Sequence, residues 1–314
     1  MTMDASTDSP RVVSLIASAT EILHALGAGA LQVARSHECD WPPSIVDLPQ
    51  LTRTKFKVKG ATSAEIDRSV KALVEQGLAV YEVDAEGMKS VRPDVILTQD
   101  QCEVCAVSLA DVERALCSWT DTTARVVSSK PHSLGDVYDD IVTIAEAIGR
   151  TDSGHSLVAE MRARLAALAA RVAGRPRPKL AFIEWIEPPM SGGHWMPELT
   201  DIAGGISLFG ETGATSPWIT WEAVRDADPD VIIVAPCGYD IETTLAEVPM
   251  LRHNAIWCGL RAVTDGHVYV ADGNAYFNRP GPRLVETAEI MAEILHPDAG
   301  RYGHEGAAWI RFTP

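Results

Sequence analysis

TDSGHSLVAEMRARLAALAARVAG, residues 151–174, is the stretch on which the fold turns. Leu157, Met161, Leu165, Leu168 and Val172 recur at spacings of four, four, three and four, which lays one apolar stripe along a helix. Asp152 and Ser153 are suited to cap its start and Gly174 to stop it, and Pro176 and Pro178 bar its continuation. About twenty residues at ~1.5 Å each make a rod of roughly 30 Å, the span of a small domain. Related patterns lie on both sides of it. Residues 152–173 are therefore expected to be a backbone helix joining two similar α/β lobes.

Upstream, β-branched and apolar runs predict strands at 11–16, 31–35, 79–83, 93–97 and 125–127. Helical patterns fall at 21–26, 62–76, 86–91, 109–117 and 135–148, with Ser18 and Thr20 reading as the cap of the first. Downstream, strands are expected at 179–185, 231–234 and 267–270, and helices at 197–203 and 284–295. Such alternation implies parallel sheets. The expected organisation is a disordered start at 1–10, an N-terminal lobe at 11–133, connecting helices at 134–178, a C-terminal lobe at 179–298 and a tail at 299–314. The halves also share a local motif. Pro93-Asp94-Val95-Ile96 and Pro229-Asp230-Val231-Ile232 are each preceded by a glutamate, Glu86 and Glu222, eight residues before the aspartate.

Among 314 residues, 46% are hydrophobic and 22% charged, ordinary for a globular chain and enough for two cores. A formal net charge of -16 excludes the basic surfaces that nucleic acid and anionic membranes require. No run approaches the ~18 apolar residues of a membrane span, so no direct membrane insertion is expected. The start is polar and acidic, without an apolar export segment, so a cytoplasmic location is expected, or an extracytoplasmic one if the native leader is missing. Six cysteines are too few and too scattered for a disulfide scaffold.

In parallel α/β sheets ligands lie beyond the carboxyl ends of the strands. With two lobes, the loops at those ends are expected to line a shared ligand cleft. They carry Trp41, Trp185, Trp195, Trp218 and Trp221, with His194, Tyr239, Tyr276 and Phe277. Flat rings in loops suit a wide, planar, partly apolar ligand; the alternative is that they plug the lobe ends. His37, Cys39, Cys102 and Cys105 have the donor chemistry for zinc, iron or cobalt. Cys102-x-x-Cys105 also suits a redox dithiol, or simply two reduced cysteines in a turn. No phosphate-binding glycine loop, zinc-protease helix or nucleophile elbow is present, so an enzyme is not expected.

Ser14 to Ile22, Asp40-Trp41-Pro42-Pro43 and Pro93-Asp94-Val95-Ile96, followed by Pro188-Pro189 and Arg279-Pro280-Gly281-Pro282-Arg283, carry a resemblance. In this order they resemble the cobalamin- and siderophore-binding substrate-binding proteins of ABC importers, the cobalamin branch above all, over residues 11–298. The resemblance implies two α/β lobes on one rigid helix, with a corrinoid such as cobalamin held between them. It implies aromatic contacts from Trp41, Trp185, Trp218 and Phe277 and a polar contact from Arg279. It also implies docking on an ABC permease through one glutamate per lobe, here Glu86 and Glu222. A cytosolic metal-binding or thiol redox protein, acting on a corrinoid or metal through Cys102 and Cys105, is the alternative.

Overall fold

The computed structural model describes residues 9–56, 58, 60–76, 80–100 and 123–313. The N-terminal elements are β1 (Val12–Ser14), α1 (Ala17–Ala25), β2 (Gln32–Arg35), β3 (Thr52–Thr54), α2 (Ser63–Glu75), β4 (Tyr81–Val83), α3 (Ala85–Val91), β5 (Val95–Gln99), β6 (Arg125–Ser129) and α4 (Leu134–Ala147). Helix α5 (Thr151–Val172) leads to β7 (Lys179–Trp185), β8 (Met190–Ser191), α6 (Met196–Ile202), β9 (Ile206–Ser207), α7 (Trp221–Ala227) and β10 (Val231–Val234). Then come α8 (Ile241–Glu247), α9 (Ala255–Gly259), α10 (Arg261–Thr264), β11 (Val268–Ala271), α11 (Leu284–Leu295) and β12 (Trp309–Phe312).

The chain forms two compact α/β units. The first comprises Met1–Phe56, Ala72–Lys130 and Tyr138–Val158; the second, Lys57–Lys71, Pro131–Val137 and Ala159–Pro314. Lys57–Lys71 and Pro131–Val137, assigned by sequence to the first lobe and the connector, thus belong to the second unit. The reason is hydrogen bonding: the Ser63 backbone N–H donates to Glu247, and that of Leu134 to Glu198. The first unit holds a parallel sheet in the order β2-β1-β5-β6 and a small antiparallel pair, β3-β4. The second holds β12-β11-β10-β7-β8, with β9 beside β7. Its central β7, β10 and β11 are parallel, whereas β8 and β12 run antiparallel at the edges.

The long helix is present and its stripe is sound, with Val158, Met161, Leu165, Leu168 and Val172 all buried. Leu157 is only half-buried; Val158 takes its place in the stripe. The helix begins at Thr151, so Asp152 and Ser153 sit inside its first turn and do not cap it. Likewise α1 begins at Ala17 after Ile16, which gives no side-chain cap, and Ser18 and Thr20 are buried helix residues. The tail expected at 299–314 contains a strand, β12, paired to β11 with Trp309 opposite Ala271.

The repeat seen in sequence is also a repeat of hydrogen bonds. Helices α3 and α7 each span seven residues, capped by Asp84 accepting from Gly87 N and by Thr220 accepting from Ala223 N. Each ends on a left-handed residue, Arg92 (φ 43) or Asp228 (φ 48), directly before proline. A following proline disfavours right-handed helical backbone, so the chain leaves both helices by the same turn. Asp94 then accepts the Arg11 N–H at 2.8 Å, and Asp230 accepts the Lys179 N–H at 2.8 Å. In each unit the aspartate clamps the strand beside it.

Candidate functional site

In the second unit three parallel strands end on one edge, where ligand sites of such sheets form. Strand β7 ends in Glu184 and Trp185, and the chain then turns through 186–195. The Ser216 hydroxyl donates to the Glu184 carboxylate, 3.0 and 3.1 Å from its two oxygens, and Ser216 Oγ accepts the Gly193 N–H at 3.1 Å. A Cβ on Gly193 would stand 2.6 Å from Ala214 O, so the close approach of these loops requires glycine there. Trp185 is half-buried, its ring edge-on to Tyr239 at 5.6 Å. Burial first, and the adjacent Glu247 carboxylate second, push the Tyr239 phenol up, so it stays protonated and donates to Glu247 at 3.1 Å.

Strand β11 runs into a single π turn, Gly273–Phe277, capped by Asp272. Burial pushes the Asp272 carboxyl up, against the bond it accepts from Ala275 N. Arg279 is 7% exposed and donates to Asn274 Oδ1 at 2.8 Å, while the Arg283 guanidinium lies 5.2 Å from the centre of the half-buried Tyr276 ring. Two of the residues expected at this edge are packed inside. Phe277 has no exposed surface and stacks on Phe182, and Trp195 is buried, donating its indole N–H to Phe277 O at 3.0 Å. Both rings pack in the interior of the second unit. Trp221 is likewise buried, edge-on to Trp257.

Two of the expected aromatic residues are open. Trp218 is 54% exposed, with the Lys71 ammonium 5.2 Å from its ring centre. Trp41, in the first unit, is 41% exposed on the loop after β2. His194 is half-buried and stacks between two rings, Trp195 at 5.5 Å and His132 at 5.4 Å. His132 escaped the sequence reading, although Pro131-His132-Ser133 directly follows β6 and the strand-end rule points to that loop. Glu247 was missed too, and nothing in its helix marks it out.

The expected metal cluster does not assemble among the described residues. Cys39 is buried, which pushes its thiol up, and its Sγ accepts from the Thr20 hydroxyl at 3.1 Å. A neutral thiol of this kind is a poor metal ligand. His37 Nδ1 is bonded to Thr52 Oγ1 at 2.7 Å. Among the described residues no three His, Cys, Asp or Glu side chains are grouped to hold a metal. Cys102 and Cys105 lie outside the described residues. Glu86 and Glu222 are both exposed, each in the first turn of its seven-residue helix.

Comparison with known proteins supplies the rest. The vitamin B12-binding proteins of Vibrio cholerae and Yersinia pestis are each 23% identical over 288 residues, 91% of this chain and 88% or 86% of theirs. Among solved structures, the periplasmic vitamin B12 binding protein of Vibrio cholerae matches with a TM-score of 0.64 at 22% identity, over 91% of this chain and 96% of that one. A periplasmic heme binding protein from Pseudomonas aeruginosa matches with a TM-score of 0.69 at 19% identity, over 93% and 94%. At these identities the structures establish the fold. The family model for periplasmic binding proteins covers residues 12–275. This overturns the cytoplasmic location expected from the polar start: the family points outside the cytoplasm. No described helix is long and apolar enough to cross a membrane. A match over most of its length makes this chain a member of the periplasmic binding protein family, whose members bind small molecules and do not transform them.

Proposed function

We propose that this protein is the extracytoplasmic receptor of an ABC importer and that its ligand is a cobalamin-like corrinoid. The observation that carries the reading is the open indole of Trp218, 54% exposed on a loop of the second unit; Trp41, on the first unit, is likewise open at 41%. Water-exposed indoles gain most when a broad, flat, partly apolar molecule covers them. The half-buried Trp185 beside Trp218's loop, and the polar Arg279 and Arg283, suit a macrocycle with polar side groups. The curated relatives named for vitamin B12 support the corrinoid over other planar ligands. Exposed Glu86 and Glu222, set identically in the two units, are proposed as the contacts to the permease.

Titrating the purified chain with cyanocobalamin and, separately, with hemin, while following tryptophan fluorescence, tests the ligand. Cyanocobalamin is expected to bind one-to-one and to quench the indoles, with Trp218→Ala weakening it about tenfold, ~1.4 kcal/mol. Saturable binding of hemin alone would replace the corrinoid by a heme. Binding of neither would remove the planar-ligand reading.

A further inference from the structure

We propose that His132 and His194 form a binding site for a divalent transition-metal cation of the zinc class, each imidazole donating through Nδ1. The two Nδ1 atoms face each other at 3.3 Å, their rings stacked 30° from parallel. Two imidazole nitrogens on one zinc ion, each at ~2.0–2.1 Å and at the tetrahedral angle, stand roughly 3.3–3.4 Å apart. The observed separation therefore matches the edge of a tetrahedral metal site. It lies just outside the ~2.7–3.2 Å of a well-formed hydrogen bond from an N–H donor.

The His194 ring and the His132 backbone are held in place before any ion arrives. His194 has φ 51, a left-handed backbone that residues other than glycine rarely adopt. It is fixed there by its N–H to Ala214 O at 2.7 Å and by Gly213 N–H to its own carbonyl at 3.1 Å. The Trp195 indole stacks on the imidazole at 5.5 Å. The His132 backbone N–H donates to Asp136 Oδ2 at 2.9 Å, in the turn that opens α4. Strain of this kind persists where surroundings over-determine it, and it clusters at functional sites. The Asp136 carboxylate, which accepts the His132 N–H, adds negative charge at the same turn.

Two protein nitrogens leave two tetrahedral positions for water or for donor atoms of a bound molecule. The inference does not depend on the corrinoid reading, since it uses only these two side chains and their supports. It differs also from the cysteine-based cluster expected from sequence, which shares none of its residues.

The test strips the full reduced chain with a chelator and titrates it with Zn2+ and, as a spectroscopic probe, Co2+. One equivalent is expected to bind, with the visible d–d bands of tetrahedral Co2+ and a Tm that climbs with Zn2+ concentration. His132→Ala and His194→Ala should each weaken binding by more than the ~10–100-fold that loss of a mere supporting group costs. His194→Gly, which suits the left-handed backbone, should fold as the wild type does and lose the metal equally. The double variant Cys102→Ser/Cys105→Ser should keep it. Absence of saturable binding to the wild type would overturn the proposal. So would unchanged affinity in the histidine variants, or loss of the ion in the cysteine variant alone.

Discussion

Glu247 shows what one carboxylate can organise. It is 8% exposed and lies 184 positions along the chain from Ser63, whose backbone N–H donates to both its oxygens, at 2.9 and 3.0 Å, and whose hydroxyl donates to Oε1. Ser63 is the first residue of α2, so Glu247 satisfies an amide that the helix itself leaves unpaired. Tyr239 adds a third donor group at 3.1 Å. Glu247→Ala strands these buried donors, each costing about 1–3 kcal/mol, and should lower stability by roughly 2–4 kcal/mol in urea unfolding. Tyr239→Phe removes one hydrogen bond but leaves the carboxylate its Ser63 partners, so about 1 kcal/mol is expected. A Glu247→Ala loss no larger than that of Tyr239→Phe would mean that Ser63 finds water in its place. Residues of this kind are invisible in a sequence, because their partners are brought to them only by the fold. The indoles were legible as a class, since loop tryptophans at strand ends stand out. Which of them stay open was not: Trp218 and Trp41 do, whereas Trp195 and Trp221 are packed inside.

Elements follow from periodicity where one face is buried, and miss where a local choice competes. The α5 stripe and the apolar runs of β5, β7 and β10 were legible because each presents a continuous buried set. Helix caps were not: Ser18, Thr20 and Asp152 have capping chemistry, but the helices begin earlier, and the burial of Ser18 and Thr20 in α1 outweighs their cap preference. The exits of α3 and α7 show a backbone choice imposed by proline. Arg92 is exposed and left-handed at φ 43, where a side chain costs energy and glycine does not. Arg92→Gly should raise stability by about 0.5–1 kcal/mol, the relief outweighing the extra freedom of the unfolded chain; no change in the denaturation midpoint would mean the turn carries no strain. The C-terminal strand was missed because Gly300, Gly303 and Gly306 make the stretch before it read as a tail. It is instead clasped by α11. Glu293 accepts from Gly303 N at 2.6 Å and Trp309 Nε1 at 2.8 Å, and His304 Nε2 meets Glu289 at 2.9 Å. The bond to Glu289 raises the His304 pKa above 6.5 against the effect of burial. Burial pushes Glu289 up, but its bonds to His304 and Arg164 more than offset that and hold it below 4.5. A raised histidine stabilises fully below its unfolded pKa and loses that contribution as pH rises through the folded value; a depressed carboxylate loses its share as pH falls. The pair therefore helps most between about pH 4.5 and 6.5. The Tm gap between wild type and His304→Ala should be wider near pH 6 than near pH 8.5; a gap independent of pH would show that the ring acts only by packing.

At the scale of the whole molecule, the chain repeats one device. A seven-residue helix, a left-handed exit, a proline and an aspartate clamped on a strand recur in each unit, and the repeat was legible in sequence because its glutamate and Pro-Asp-Val-Ile spacing are matched. Location was not legible, since the start of a sequence is a weaker witness than the family its fold belongs to. The repeat gives the proposed permease contact a physical basis. Glu86 and Glu222 occupy the same first-turn position, both exposed, and among the described residues neither side chain makes a hydrogen bond or ion pair. A carboxylate near a helix start is favoured by the helix dipole, but only by about 0.3–1 kcal/mol, so neither glutamate is needed for the fold. Two equivalent charges suit recognition by basic groups on a partner. Charge reversal in Glu86→Lys/Glu222→Lys should therefore abolish uptake in cells, while the purified variant keeps its ligand affinity and loses only about 1–2 kcal/mol of stability. Each single reversal should leave partial uptake, because one of two rim contacts remains. Uptake at the wild-type rate by the double variant would show that the symmetry of the fold, and no partner, accounts for the paired glutamates.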